Sequence, residues 1–283
     1  MAVSGLSAPD PYVLDDLIAP GHNATGGLTP RSLVINPAFR TLVLVTSGQS
    51  LLCNTNPTLF TPANNTVIDN FNIYDGVAYP ISGALLGATN SIPVGLLGPG
   101  NLSARVADLL IASGIWNRVI LVPIGVGGTF IVDWSAGHLS TPGVGGRFGV
   151  AMRRLAARGI APATTGVTFA NLFGLGETDS ANGTSSAAWQ ASFATLMANN
   201  VSAGFSGKTF VNLETLTAGA TNSTIRAAQA AVVNGTTIFQ GGDLDTLTGG
   251  TNRQVDGTHL TDSGAASAAT LIYNAMHASG APY

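Results

Sequence analysis

Four short runs of almost unbroken apolar residues constrain the fold of this chain more than any other feature. The segments between them are long enough for helices and carry apolar residues at helical spacing. A strand that is apolar on both faces is typical of a sheet covered by helices on both sides, and alternating strands and helices indicate β-α-β units. The sequence therefore predicts an α/β protein, a three-layer α/β/α sandwich around a doubly wound, mainly parallel sheet. The predicted strands are residues 41–46, 119–124, 167–173 and 209–213.

Helices are predicted between and after these strands, at residues 102–113, 186–199 and 262–276, the last with Thr261 as its N-cap. The second carries an apolar stripe that indicates core packing, because its members recur at i, i+4, i+7 and i+8. The stripe consists of Trp189, Phe193, Leu196 and Met197. Ligands of doubly wound sheets bind beyond the carboxyl ends of the strands. We therefore expect the chemistry in the loops after residues 46 and 173.

Composition argues against several classes of function. Only 9% of the residues are charged, the net charge is −3, and there is one cysteine. The densest basic group, Arg153, Arg154 and Arg158, indicates a solvated helix face and not a nucleic-acid surface. A single cysteine allows no internal disulfide and no cysteine-based metal cluster, and the histidines have no metal-ligand spacing. We expect no metal, no cofactor and no nucleic-acid partner.

The chain of 283 residues predicts one domain, residues 39–283, because no segment has the composition of a linker. Residues 1–38 are rich in Pro, Gly, Ser and Asn and are interpreted as an N-terminal arm packed on that domain. The first residues lack the basic and apolar regions of a signal peptide, and no apolar stretch is long enough to span a membrane. The composition is compatible with a secreted, cell-surface or virion-associated protein, so localisation and oligomeric state stay open.

Two motifs nearly the full length of the chain apart supply the residue types of a serine nucleophile. Gly48-Gln49-Ser50 follows the first apolar run, and Asp256-Gly257-Thr258-His259-Leu260 lies near the end. A serine hydroxyl attacks only when a histidine removes its proton, and a carboxylate orients that histidine. We therefore predict Ser50 as nucleophile, His259 as general base and Asp256 as the orienting acid. A helix is expected directly after Ser50, with Cys53 buried in it.

With these motifs the chain resembles the SGNH (GDSL-like) hydrolases, in particular the branch of sialate O-acetylesterases and acetylxylan esterases. Gly176-Glu177-Thr178-Asp179 matches most of the middle block of that branch, and the stretches at 98–105 and 121–129 are also similar. The resemblance implies a flavodoxin-like SGNH hydrolase fold. It also implies a serine esterase that hydrolyses short acyl esters, O-acetyl foremost, on a carbohydrate. The alternatives are a broad short-chain ester or thioester hydrolase, and a non-catalytic carbohydrate-binding or structural module with a decayed site.

The resemblance also implies an oxyanion hole. The backbone N–H of Ser50 is one expected donor, and Gly100, or else Gly98, is the second because it precedes the helix that begins near residue 102. The family's third donor is an amide side chain in the middle block, where this chain has Leu175. The candidates to replace it are Gln49, Asn171 and Asn182.

The remaining polar and aromatic residues near these motifs receive supporting roles. We expect Glu177 and Asp179 to brace loops beside the site by accepting backbone hydrogen bonds. A glycosidase carboxylate pair is the alternative, but it leaves Ser50 and His259 unexplained. Trp134 and His138 lie in a loop rich in glycine and serine and are candidates for a rim that contacts a sugar substrate.

Overall fold

The computed structural model describes residues 28–81, 84–88, 98–135, 144–280 and 283. Its centre is a seven-stranded sheet in the order β4-β3-β6-β1-β7-β8-β9. Strands β2 and β5 form a separate two-stranded sheet. The strands are β1 Thr41–Gly48, β2 Asn54–Asn56, β3 Ile68–Asn72, β4 Val77–Pro80, β5 Gly100–Asn101, β6 Arg118–Pro123, β7 Val167–Gly174, β8 Lys208–Leu213 and β9 Ile238–Asp243.

Helices connect and cover these strands. They are α1 Leu102–Ala112, α2 Ile131–Ser135, α3 Arg147–Ala157, α4 Glu177–Ala181, α5 Ser186–Ser202, α6 Ser223–Ala231, α7 Gly249–Asn252 and α8 Asp262–Ala278. Thr261 caps α8 as predicted, because its hydroxyl accepts a hydrogen bond from the N–H of Gly264 at 3.0 Å. No helix in the described ranges combines the length and apolarity that crossing a membrane requires.

The predicted fold class is confirmed. Strand β1 lies at the centre of the seven-stranded sheet and pairs in parallel with β6 and β7. Among the described strands of that sheet, the β3–β4 pair at one edge is the antiparallel one. All four predicted strands and all three predicted helices form, with ends that differ by at most three residues. Because β1, β7, β8 and β9 run in the same direction, the loops at their carboxyl ends lie at one edge of the sheet.

Both faces of the sheet are buried, which explains the unbroken apolar runs. Along β1, Val43 and Val45 join the core layer on one face, whereas Leu42 and Leu44 join the layer on the other. Each such side chain contributes about 1.5–3 kcal/mol to the free energy of folding. The stripe of α5 packs in the first layer, where the rings of Trp189 and Phe193 stack at 5.3 Å between centroids.

The part of the predicted arm that the structure describes, from residue 28 onward, lies along the sheet. The N–H of Arg31 bonds the carbonyl of Ala78 in β4 at 2.8 Å. The guanidinium of Arg118 in β6 donates to the carbonyls of Ser32 and Val34 at 2.8 and 3.1 Å. These contacts fasten the segment before β1 to the antiparallel edge.

Candidate active site

The turn that presents Ser50 begins where β1 meets β7. Gly48 has φ 127°, and a Cβ there would lie 1.8 Å from the carbonyl oxygen of Gly174, so no other residue fits without moving β7. The next N–H, of Gln49, donates to that same carbonyl at 2.8 Å. The end of β1 is therefore locked to the end of β7, and Ser50 follows directly.

The helix expected after Ser50 is only a single 3₁₀ turn, Ser50–Leu52. Cys53 ends this turn and is buried, with its thiol donating to the carbonyl of Gln49 at 3.3 Å. The chain then enters β2, whose Thr55 hydroxyl donates to the carbonyl of Ser50 at 2.9 Å. The prediction of a helix was wrong because the turn is held by tertiary contacts. Ser50 itself remains 6% exposed.

His259 and Asp256 form a hydrogen-bonded pair on the loop between α7 and α8. His259 Nδ1 lies 2.6 Å from Asp256 Oδ2, and Asp256 Oδ1 accepts the N–H groups of Thr258 and His259 at 2.8 and 2.9 Å. Burial alone would raise the pKa of Asp256. The hydrogen bonds from His259 and from the two backbone N–H groups outweigh it and hold that pKa below its usual value. Asp256 is therefore suited to stay ionised and orient the imidazole.

A buried arginine holds this loop in shape. Arg253 is 3% exposed, and its guanidinium donates to the carbonyls of Leu247 at 2.7 Å and Thr258 at 2.5 Å and also to that of Leu244. The N–H of Gln254 donates to the carbonyl of His259 at 2.7 Å, which closes the loop. The position of His259 is thus fixed by backbone contacts on both sides.

Three consecutive hydrogen bonds connect the Ser50 turn to the His259 loop. Thr55 donates to Ser50 as above, the carbonyl of Thr55 accepts from Gln254 Nε2 at 2.8 Å, and Gln254 bonds His259 through the backbone. His259 Nε2 is buried and has no hydrogen-bond partner among the described residues. The Ser50–His259 hydrogen bond is therefore not made in this structure, as is common before a substrate binds.

The glycines predicted for the oxyanion hole lie against the segment that follows Ser50. A Cβ at Gly98 would lie 2.2 Å from the carbonyl oxygen of Asn56, and one at Gly100 would lie 2.0 Å from that of Thr58. Gly100 also pairs with Asn56 in the small sheet. Close packing of this backbone on the segment after Ser50 accounts for glycine at both positions, and their role as oxyanion donors stays a prediction.

The three candidates for the third oxyanion donor lie in different surroundings. The Gln49 amide donates to the Glu177 carboxylate and accepts from the N–H of Thr178 at 3.4 Å. Asn171 is fully buried in β7, level with Val45, and accepts from the Ser47 hydroxyl at 2.7 Å. Asn182 is exposed and donates to the carbonyl of Thr178 at 2.9 Å. Of the three, only Gln49 adjoins Ser50, and its amide is held by α4.

Both acidic residues of the middle block are buried, as bracing residues would be. Asp179 accepts the N–H of Ile131 at 3.0 Å and the hydroxyl of Thr184 at 2.8 Å, so it fastens the start of α2. Burial raises its pKa. Glu177 is 3% exposed and binds the Gln49 side chain. Burial, the largest cause, raises the pKa of Glu177 to about 8.

The predicted substrate rim does not fit the structure at Trp134. Its side chain is fully buried in the core, and its indole N–H donates to the hydroxyl of Thr129 at 3.0 Å. A side chain enclosed in this way cannot contact a sugar. His138 lies outside the described residues.

Sequence reasoning missed three residues that support the site: Gln254, Arg253 and Glu214. Glu214 follows β8 directly and is fully buried, so its place after a predicted strand was a usable signal. Gln254 and Arg253 gave no signal, because their partners are backbone carbonyls. Within the part of the chain that the structure describes, no three His, Cys, Asp or Glu side chains are placed to hold a metal ion.

One solved structure shares this fold, and others align with it less closely. A protein from Arabidopsis thaliana aligns with a TM-score of 0.62 at 17% identity, over 84% of this chain and 98% of its own. A carbohydrate acetylesterase from Xanthomonas citri gives 0.49 at 11% identity, over 83% and 55%. A member of the lipolytic G-D-S-L family from Veillonella parvula gives 0.42 at 10%, over 86% and 100%. No family model and no curated protein sequence matches the chain. Such identities show the fold alone, so the reaction is argued from the site.

Proposed function

We propose that this chain is a metal-independent serine esterase of the SGNH type that removes short acyl groups, acetyl foremost, from a carbohydrate. The observation that carries the proposal is the His259–Asp256 pair. One imidazole nitrogen lies 2.6 Å from a carboxylate whose pKa is lowered, and the other has no partner among the described residues. The loop that carries them is joined to the Ser50 turn through Gln254 and Thr55. The acetyl group and the sugar come from the motif resemblance and not from this geometry.

The mechanism follows from the roles of these atoms. Ser50 Oγ attacks the ester carbonyl while His259 Nε2 takes its proton, and Asp256 stabilises the imidazolium that results. The sugar alkoxide leaves with the proton that His259 returns, and the acyl group stays on Ser50. A water molecule, activated by the same nitrogen, then releases the acid. Backbone N–H groups at the Ser50 turn and the glycine segment before α1 are the proposed oxyanion donors.

Hydrolysis of p-nitrophenyl acetate without added metal tests the proposal. Ser50→Ala should lower the rate by about 10³-fold or more, since it removes the nucleophile. Ser47→Ala is the matched control: Ser47 lies three residues earlier and bonds Asn171 inside the sheet, so its loss should leave the rate within a few-fold. Equal rates in wild type and Ser50→Ala would contradict the proposal.

A series of acyl lengths defines the substrate class. Acetyl, butyryl and octanoyl p-nitrophenyl esters, an acetyl thioester and acetylated xylan should be compared by kcat/KM. The proposal predicts the highest values for acetyl and release of acetate from the polysaccharide. A preference for longer chains or thioesters would favour the broad hydrolase. Binding of acetylated xylan without acetate release would favour the non-catalytic module.

A further inference from the structure

The two glutamates of the chain, Glu177 and Glu214, are both buried after the ends of neighbouring strands. Glu177 begins α4 just after β7, and Glu214 follows the end of β8, the strand next to β7. They are 3% and 0% exposed. The carboxyl ends of parallel neighbours meet at one edge of a sheet, and the two groups are close enough there for the charge of Glu177 to act on Glu214.

Two glycines make room for this arrangement. A Cβ on Gly174 would lie 2.5 and 2.6 Å from the two carboxylate oxygens of Glu214, and a Cβ on Gly176 would lie 2.2 Å from the Glu214 carbonyl. Gly176 directly precedes Glu177. The Glu214 carboxyl therefore packs on the backbone that presents Glu177, and any larger residue at Gly174 would displace it.

Each carboxyl group has one oxygen with a hydrogen bond and one without. Glu177 Oε2 accepts from Gln49 Nε2, and Glu214 Oε2 accepts from Asn212 Nδ2 at 3.2 Å. Oε1 of each is buried and has no partner among the described residues. A buried acceptor without a donor costs about 1–3 kcal/mol, and more when it is charged. One proton between the two carboxyl groups would supply the donor that both oxygens lack.

The surrounding charges favour a pair with a single negative charge. Arg253 on the His259 loop and Asp245 after β9 act on both glutamates. Asp245 accepts from the N–H of Thr215 and is paired with Arg226 at 2.9 Å, and Asp256 on the same loop is paired with His259. On α4 itself, Asp179 bonds away from the pair, to Ile131 and Thr184. Arg253, which donates to backbone carbonyls, is thus the cation left to face the pair.

The pKa values of both glutamates are raised, as expected for carboxyl groups that retain a proton. Burial, the largest cause, raises the pKa of Glu214 well above its usual value, and the charge of Glu177 raises it further. A second negative charge is disfavoured beside the first, so the two groups titrate as a unit.

We propose that Glu177 and Glu214 share one proton and act as a positioning pair that holds the Gln49 amide and, through it, the Ser50 turn. The proton bound to Oε1 of one carboxyl donates to Oε1 of the other. Its loss to solvent at high pH leaves two buried carboxylates that repel each other. The sharing of the proton stands on the contacts above, whereas the consequence for catalysis rests on the proposed function.

Carbon-13 NMR of the glutamate carboxyl carbons tests the proton directly. With only two glutamates in the chain, a protein labelled at that carbon gives two glutamate signals to follow with pH. We expect the pair to retain at pH 6.5 a proton that an ordinary glutamate has lost, and to release it only in the neutral to alkaline range. Two signals that both titrate near the ordinary value of about 4.3 would overturn the proposal, whether or not the protein hydrolyses esters.

Two variants at Glu214 test the positioning role. Glu214→Gln keeps a permanent donor toward Glu177, so its kcat at pH 7 should stay within about twofold of wild type and its alkaline decline should move to higher pH. Glu214→Leu removes the donor and should lower kcat about tenfold, the effect of ~1.4 kcal/mol, with KM little changed. Equal losses in both variants with no change of pH profile would mean a packing role only and would refute the positioning role. If Glu214→Leu does not fold, the NMR titration still tests the shared proton, and the pH profile of Glu214→Gln still tests the positioning role.

Should no variant, wild type included, hydrolyse any ester while the NMR signals show one retained proton, the proposed function fails and the shared proton stands. Should hydrolysis depend on Ser50 while both glutamates titrate normally, the esterase stands and the shared proton fails. The two proposals are thus separable.

Discussion

The carboxyl groups of Asp256 and Glu177 have different surroundings, and their pKa values are shifted in opposite directions. Asp256 is about one third exposed, accepts three hydrogen bonds, and has a lowered pKa. Glu177 is enclosed and its side-chain donor is Gln49. Burial outweighs the hydrogen bonds there and raises the pKa of Glu177 to about 8. The balance between burial and hydrogen-bond donors, not the carboxyl group itself, therefore decides the role. A well-solvated carboxylate can support a developing imidazolium, whereas an enclosed one serves as a neutral or proton-sharing brace.

Of the changes proposed here, removal of the imidazole that Asp256 orients should lower activity the most. His259→Ala is expected to lower kcat/KM for p-nitrophenyl acetate by about 10³-fold or more, because no other group would accept the Ser50 proton. His277→Ala is the control, since His277 is exposed near the end of α8 and stacks on Tyr273 at 5.7 Å. Comparable losses in both variants would contradict the assignment of His259.

Neutralising the carboxylate should have the next largest effect. Asp256→Asn keeps an acceptor for the backbone N–H groups but holds the imidazole in the wrong tautomer, and we expect kcat to fall about 10²–10⁴-fold, up to the loss known for serine proteases. Asp262→Asn, six residues on and bonded to Thr58 at 2.8 Å, should change kcat by no more than a few-fold. The assignment fails if Asp256→Asn retains wild-type kcat.

The enclosed pair should make stability fall with rising pH. Glu177 has a folded-state pKa of about 8 against an ordinary value of 4.5, so the folded state holds more protons than the unfolded state between these values. Its stabilising contribution is complete below about 4.5 and is lost as pH rises through about 8. The wild-type Tm should therefore decrease by ~5 °C or more between pH 5 and 8.

Glu214→Gln should flatten this decrease, because the remaining carboxylate keeps a donor and no longer faces a second charge. Asp75→Asn, an exposed control outside the pair, should leave the decrease unchanged. Differential scanning calorimetry at each pH provides the measurement. A wild-type Tm that rises between pH 5 and 8 would refute this account of the pair.

The connection between the Ser50 turn and the His259 loop should give the smallest effect. Gln254→Leu removes the donors to the carbonyls of Thr55 and Leu260 at 2.8 and 2.9 Å. Loss of a hydrogen bond worth about 1 kcal/mol should lower kcat five- to tenfold through misalignment of Ser50 and His259. Gln240→Leu, on the exposed side of β9, is the matched control. A rise in KM with kcat unchanged would point to substrate contact instead of alignment.

The sequence predicts what is local in this molecule. The apolar run at residues 41–46 predicts strand β1, and the three-residue spacing of Asp256 and His259 lets their side chains bond within one loop. Strand β3 was missed because it carries buried polar residues. Its Asp69 is satisfied by Arg118 at 2.6 Å and its Asn70 by the N–H and carbonyl of Leu86, partners that no local pattern shows.

The supports of the site could not be predicted for the same reason. Gln49 and Glu177 are 128 residues apart, and Gln254 and Thr55 are 199 apart. Such pairs form only when the sheet brings the carboxyl ends of its strands together. Trp134 shows the converse, since a glycine-rich setting suggested an exposed ring and tertiary packing enclosed it.

Mass spectrometry of the acid-quenched enzyme during turnover of p-nitrophenyl acetate would detect the acyl-enzyme that the proposed mechanism requires. The account predicts one acetyl group on the peptide that contains Ser50, present in the wild type within the first turnovers and absent from Ser50→Ala. Steady release of p-nitrophenol with no acetyl group on that peptide, or with the label on another residue, would contradict it.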